Sequence, residues 1–264
     1  MCRLLGYVSR TPVSIETAVG PSLSEFVNLS RKHCDGWGLA HVLRGSDELR
    51  IFREPEAAWQ SSRLKDLTHS AQSDAAIFHL RWATPGLVTR AENTHPFVRG
   101  RYAFMHNGAI FTGIDALVPS NLSPLLEGDT DSEKYFLVVL DSVDRLGPAQ
   151  GMAEAVRKID SSCDYTSLNA MLLTPDELIV VSHYRPERIA AGEPDDYYEI
   201  RYKTFEDRIL VASTGWPQEG WPGLANGAVL RIDRRTLSIS AAAFNEFIGH
   251  DADQNDGAHN GEVQ

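Results

Sequence analysis

The chain has 264 residues, 42% of them hydrophobic and 23% charged, enough apolar material for a sizeable buried core; this composition excludes a disordered regulator, a collagen-like fibre and a disulfide miniprotein. Thirty-six acidic against 25 basic residues give a formal net charge of −11, a balance that phosphate backbones and anionic lipid repel, so neither nucleic acid nor a membrane is expected as a partner. Three cysteines, Cys2, Cys34 and Cys163, without Cys-x-x-Cys spacing, together with no signal-peptide pattern and no bilayer-length apolar run, make a reducing, cytoplasmic setting the expectation.

In chain order, the apolar run Leu4 to Val8 predicts a buried strand. Ser14 to Val19 and Leu23 to Arg31 predict short helices. Asp35-Gly36-Trp37-Gly38 reads as a turn leading into a strand over Leu39 to Val42, with Leu49 to Arg53 as its hairpin partner. Trp59 to Ser70 has the spacing of an amphipathic helix. Ala75 to His79 is strand-like and is stopped by Pro85 and Gly86. Tyr102 to Met105 is another strand, ending in the turn signal His106-Asn107-Gly108. Thr130-x-x-Glu133 has the form of a capping box, and Tyr135, Phe136, Val139, Leu140 and Val143 follow at helical spacing. A second helix is predicted over Pro148 to Ile159. Strands are then expected over Leu168 to Leu173, Leu178 to His183, Tyr197 to Lys203, Arg208 to Ala212 and Ala228 to Ile232. The polar segment 250–264 reads as a disordered tail after one α+β or layered α/β domain over 1–249.

The chain carries no phosphate-binding Gly-rich loop, no dinucleotide fingerprint, no Gly-x-Ser-x-Gly elbow and no His-Glu-x-x-His helix. His79, His95 and His106 fall in one dense stretch, yet no carboxylate or cysteine stands at ligand spacing beside them. They are therefore read as buried histidines bonded to backbone; no metal and no organic cofactor are expected. Cys34 and Cys163 are read as small core residues. Cys2 is different. If Met1 is removed, its thiol and its own α-amine, with an ordinary pKa of about 7.7–8.0, share one residue, so nucleophile and base arrive together. Taken alone, a small residue at position two is commonplace.

Five segments in order change that reading: Met1-Cys2 with Gly6, Asp35-Gly36-Trp37-Gly38, His79-Leu80-Arg81-Trp82-Ala83-Thr84, Asn93-Thr94-His95-Pro96-Phe97, and His106-Asn107-Gly108 followed by Thr130-Asp131-Ser132-Glu133. With them the chain resembles the class II glutamine amidotransferases, which are N-terminal-nucleophile hydrolases. It looks most like the stand-alone branch that includes the ergothioneine-pathway γ-glutamyl amidohydrolase. The resemblance implies a four-layer αββα sandwich whose mature chain starts at Cys2. It also implies a γ-glutamyl substrate attacked by Cys2, with Asn107 and Gly108 as the oxyanion hole. Arg81, with Trp82 and Thr84 beside it, would bind the substrate's α-carboxylate through two parallel hydrogen bonds. Asp131 would hold the α-ammonium, although an acid in the first turn of a helix is also favoured by the helix dipole; Asn107-Gly108 likewise reads as a plain hairpin turn. Asp129 and Glu133 are read as cap and first-turn acids, and Arg3 and Asp35 as lining at the pocket's edge. Specificity is assigned to the loops Leu87 to Glu92, Ala109 to Glu127 and Pro186 to Asp196. Three functions follow: a γ-glutamyl amidohydrolase on a small metabolite, a glutaminase feeding ammonia to a synthase partner, or a non-enzymatic γ-glutamyl sensor. A homodimer is compatible with each.

Overall fold

The first strand already dictates layers on both of its sides. Leu4 and Val8 pack into one apolar cluster while Leu5 and Tyr7 pack into another, and side chains two apart share a face. A strand apolar on both faces must lie between two other layers. The computed structural model describes residues 2–43, 48–84 and 86–249. In chain order it contains β1 (Arg3–Val13), α1 (Ile15–Val19), α2 (Leu23–Asn28), β2 (Trp37–Val42), β3 (Leu49–Glu54), α3 (Ser62–Ser70), β4 (Ser73–Leu80), β5 (Phe97–Arg99), β6 (Tyr102–Asn107), β7 (Ile110–Thr112) and α4 (Ile114–Leu117). Then follow α5 (Asp131–Leu146), α6 (Pro148–Ser162), β8 (Asp164–Tyr165), β9 (Asn169–Leu173), β10 (Glu177–Ser182), β11 (Ile200–Thr204), β12 (Arg208–Ser213), β13 (Ala228–Asp233), β14 (Ile239–Ala243) and α7 (Phe244–Gly249). Met1, Pro85 and the expected tail 250–264 lie outside the described residues.

Two six-stranded antiparallel sheets run β11-β12-β1-β4-β2-β3 and β14-β13-β10-β9-β6-β5, with β7 and β8 forming a small separate pair. Leu4, Val8, Ala40 and Ile77 of the first sheet meet Met105, Met171, Leu178 and Val180 of the second. The sheets approach closely at Gly6, where an added Cβ would come within 3.0 Å of Met171 Sδ and 3.1 Å of Leu178. Outside the first sheet, α1 to α3 cover Leu5, Tyr7, Trp37 and Phe78, with Phe26 wholly buried among them. Outside the second, α5 and α6 lay Phe136, Val139 and Val156 against Phe104 and Leu172. The result is the αββα sandwich that the resemblance implied. At the end of the sandwich where β4 begins, Arg234 donates to Asp74 through Nε (2.9 Å) and Nη2 (2.6 Å), joining the two sheets by a buried ion pair.

Several expectations shift in detail. The helix expected over Trp59 to Ser70 begins later, because Ser61 accepts from the Leu64 amide (3.2 Å) and so caps α3; Ala58–Gln60 is a separate 3-10 turn. Thr130 caps α5 as expected, accepting from the Glu133 amide at 3.1 Å. The capping box is only half made, since the Glu133 carboxylate accepts from the Glu127 and Gly128 amides and ties down the preceding loop. His106 and Asn107 are not a turn: they pair with Ala170 and Asn169 as the end of β6, and only Gly108 bends. Cys34 is exposed, contrary to the core reading, because it lies in the irregular link before β2, whereas Cys163 is buried at the end of α6. The loop expected over Ala109 to Glu127 holds β7 and α4.

Candidate active site

Strand parity assembles the site. On β4, Ala75 and Ile77 face the second sheet while Ala76, Phe78 and Leu80 face the helices, so Arg81 continues the inner face. On β6, Ala103 and Met105 face inward and Phe104 outward, so Asn107 also faces inward. On β1, Leu4 faces inward, and Cys2 with it. Arg3 pairs with Leu80, and the same antiparallel register puts Cys2 opposite Arg81, where same-face side chains stand close. The rings and carbonyls below lock the two sheets together at this end: His79 Nε2 donates to the carbonyl of His106 at 3.2 Å.

The reactive groups are buried and partly unoccupied. Cys2 is 8% exposed. The Trp82 amide donates to its Sγ at 3.4 Å, and the thiol lies 3.7 Å from the Trp82 carbonyl. Burial pushes the thiol pKa up; the nearby Arg81 charge draws it down and the Asp131 charge raises it. Arg81 is 3% exposed; Nη1 donates to the Asp35 carbonyl at 3.1 Å, while Nη2 has no partner among the described residues. Burial pushes its guanidinium pKa down, against the pull of Cys2 and Asp35. Asn107 is wholly buried, and neither its amide nitrogen nor its oxygen has a partner among the described residues. Unpaired buried polar groups cost stability, so two such groups on the inner sides of the two facing sheets make this a candidate ligand site.

Gly108 is required by close approach: an added Cβ would lie 1.8 Å from the Ser167 carbonyl. Asp131 sits half-buried in the first turn of α5, where Oδ2 accepts from the Ile110 amide at 2.6 Å. One carboxylate oxygen thus serves the fold, and the Asp131 charge still reaches Cys2. Asp35 Oδ2 accepts from the Ala83 amide at 2.8 Å, so Asp35 holds the segment that follows Arg81. Trp82 is exposed, with Lys32 Nζ 4.9 Å from its ring centroid. Thr84 is exposed, its carbonyl closing a turn onto the Leu87 amide. Asp129 pairs with Arg90.

The histidines emerge as ties. His106 Nε2 lies 2.9 Å from the Ser167 carbonyl and Nδ1 2.9 Å from Ser132 Oγ. A carbonyl only accepts, so Nε2 carries the proton and the Ser132 hydroxyl donates to Nδ1. One ring therefore fixes the strand end bearing Asn107 to the helix turn bearing Asp131. His79 stacks on His95, ring centroids 4.1 Å apart, and burial lowers the His79 pKa to about 3. The reading of backbone-bonded histidines holds for His79 and His106. It does not hold for His95, neither of whose ring nitrogens has a partner among the described residues. No group of three or more His, Cys, Asp or Glu among the described residues is arranged to hold a metal ion. The roles of His79, His106, Ser132 and Ser167 were missed in the sequence; only the crowding of histidines near Arg81 and Asn107 could have signalled them.

Two stacked antiparallel sheets between helical layers, with Cys2, Arg81 and Asn107 on their inner sides, define an αββα sandwich with one candidate site between its sheets. The profile for "Glutamine amidotransferases class-II" matches residues 1–181, and the chain belongs to that family. It is 26% identical to the probable glutamine amidotransferase DUG3 of Saccharomyces cerevisiae, over 90% of this chain and 84% of that one. The fold is shared with a glutamine aminotransferase class-II domain protein of Silicibacter pomeroyi, at a TM-score of 0.66 and 21% identity, covering 92% of this chain and 99% of the other. It is shared too with the glutamine phosphoribosylpyrophosphate amidotransferase of B. subtilis, at a TM-score of 0.63 and 15% identity, covering 92% of this chain and 49% of that one. Among the described residues no helix is long and apolar enough to cross a membrane.

Proposed function

We propose that this chain, once Met1 is removed, hydrolyses the γ-glutamyl amide bond of a small metabolite with Cys2 as nucleophile. The observation that supports this reading is the vacancy of Arg81 Nη2 and of both Asn107 amide atoms, all buried, with the Arg81 charge reaching the Cys2 thiol. Because burial raises the thiol pKa, a base must take its proton, and the α-amine of a processed Cys2 is within the same residue. That amine accepts the thiol proton as sulfur bonds to the γ-carbonyl carbon. The Asn107 side-chain amide and the Gly108 N–H stabilise the oxyanion; one such donor is worth about 2.7–4 kcal/mol of barrier. As the carbon–nitrogen bond breaks, the ammonium returns the proton to the leaving nitrogen. Water then adds to the thioester, releasing glutamate and restoring the thiol. Arg81 pairs with the substrate α-carboxylate and Asp131, through its second oxygen, with the α-ammonium.

The test is glutamate release by protein whose intact mass lacks Met1. Cys2→Ala is expected to abolish turnover with an unchanged melting temperature, and Asn107→Ala to lower kcat by about 10²–10³. Normal turnover by Cys2→Ala would end the proposal.

A further inference from the structure

We propose that Asn93 is a positioning residue that sets the separation between Arg81 and Asp131, and with it the preference for a substrate head carrying both an α-carboxylate and an α-ammonium. The inference rests on the γ-glutamyl reading above and adds to it the residue that spaces its two charged contacts. Asn93 is wholly buried at the end of a 3-10 turn, Ala91–Asn93. Its side-chain nitrogen donates to the Val88 carbonyl at 3.0 Å, and its side-chain oxygen accepts from the Asp129 amide at 2.9 Å. A carbonyl only accepts and an N–H only donates, so the amide has a single orientation. Both backbone partners lie in loops, where no strand or helix ladder holds them. Val88 follows the strand end that bears Arg81, Trp82 and Thr84, and Asp129 stands two residues before Asp131.

The two loops belong to different layers. Arg81 leaves β4 of the first sheet, and Asp35 Oδ2 holds the chain just beyond it at the Ala83 amide (2.8 Å). Asp131 opens α5, which covers the second sheet, and the Ile110 amide holds its Oδ2 (2.6 Å). His79 and His106 couple the strands of these layers; Asn93 couples the loops that lead from Arg81 and into Asp131. The joint is closely packed: a Cβ added at Gly128 would lie 2.4 Å from Asn93 Oδ1 and 2.8 Å from the Glu92 carbonyl. Glu133 accepts from the Glu127 and Gly128 amides (3.0 and 2.7 Å) and so presses this loop onto Asn93. Thr94 Oγ1 donates to the Arg90 carbonyl at 2.9 Å, closing the turn that carries Asn93. The Arg90–Asp129 ion pair (2.6 Å) bridges the same loops, but both side chains are exposed, and an exposed pair adds little. Losing the one buried amide releases both loops at once.

Glutamine and 4-carbamoylbutanoate, which is glutamine without its α-amine, separate a positioning role from a structural one. With processed wild-type enzyme, kcat/KM for ammonia release is expected to favour glutamine. Asn93→Ala, and Gly128→Ala, which crowds Asn93 from the facing loop, should each raise KM for glutamine by about tenfold or more, the usual worth of a hydrogen bond to a charged group, with kcat little changed. The constants for 4-carbamoylbutanoate should stay near their wild-type values. In an Asp131→Asn background, Asn93→Ala should cost nothing further, because the two act through one contact. A variant that slows both compounds alike overturns the proposal, as does an added loss in the Asp131→Asn background. Hydrogen exchange supplies a second measurement on the wild-type protein: the Asp129 amide should be protected although it lies in a loop. Rapid exchange there overturns the proposal whether or not the variants fold. Wild-type enzyme that releases ammonia from neither compound rejects γ-glutamyl hydrolysis itself and the proposal with it, a result distinct from equal losses in the variants.

Discussion

The buried histidines act at the scale of single residues. His79 is held neutral, its pKa lowered to about 3 by burial, while in an unfolded chain it titrates near 6.5. Below pH 6.5 the unfolded state therefore binds a proton that the native state refuses. Stability is complete above pH 6.5 and declines as pH falls from there toward 3, below which the native ring also charges. The melting temperature is expected to drop between pH 7 and pH 4.5, and to drop less steeply in His79→Gln, whose amide can still donate to the His106 carbonyl. Equal slopes in the two proteins would show that His79 is not the titrating group. Cys2, Arg81 and Asn107 stand out in the sequence as candidates because their chemistry is in their identity and their order matches a family. His79 and His106 were not, since an interior histidine reads the same whichever atom its ring meets.

Elements were legible where they were long or chemically marked. The Thr130 cap and the apolar spacing behind it gave α5 almost to the residue. Two- and three-residue strands such as β7 and β8 have no period to detect, and β14 is built largely of small, exposed residues. The end of β6 was misread as a turn because Asn-Gly carries that signal in isolation, whereas pairing with β9 overrides it. Gly108 follows from this. A methyl group there meets a backbone carbonyl, not a flexible side chain, so the β6–β7 connection must shift. Gly108→Ala is expected to cost about 1–3 kcal/mol of stability and to reduce kcat more than KM, measured by denaturant unfolding beside steady-state kinetics.

At the scale of the molecule, the sandwich is joined at both ends of β4, by Asp74 to Arg234 at the start and by His79 to the His106 carbonyl near the site. Asp74→Ala leaves Arg234 buried without its counter-charge and is expected to cost about 3–5 kcal/mol. Urea unfolding measures this; a loss below 1 kcal/mol would mean that water satisfies Arg234 instead. The run of elements made an α+β or layered α/β domain readable and the family resemblance supplied the αββα sandwich, but which strands lie edge to edge was not readable, because long-range pairing leaves no local mark.

The tight contact at Gly6 has a consequence for the chemistry. Cys2 and Arg81 ride on one sheet and Asn107 on the other, so the proposed centre needs both sheets in place. A bulkier side chain at position 6 would wedge the halves apart and carry the Cys2 sulfur away from the Asn107 amide. Under the proposed function, turnover would gauge how faithfully two slabs of protein are stacked, and damage in the middle of the molecule should register as lost rate well before it registers as unfolding.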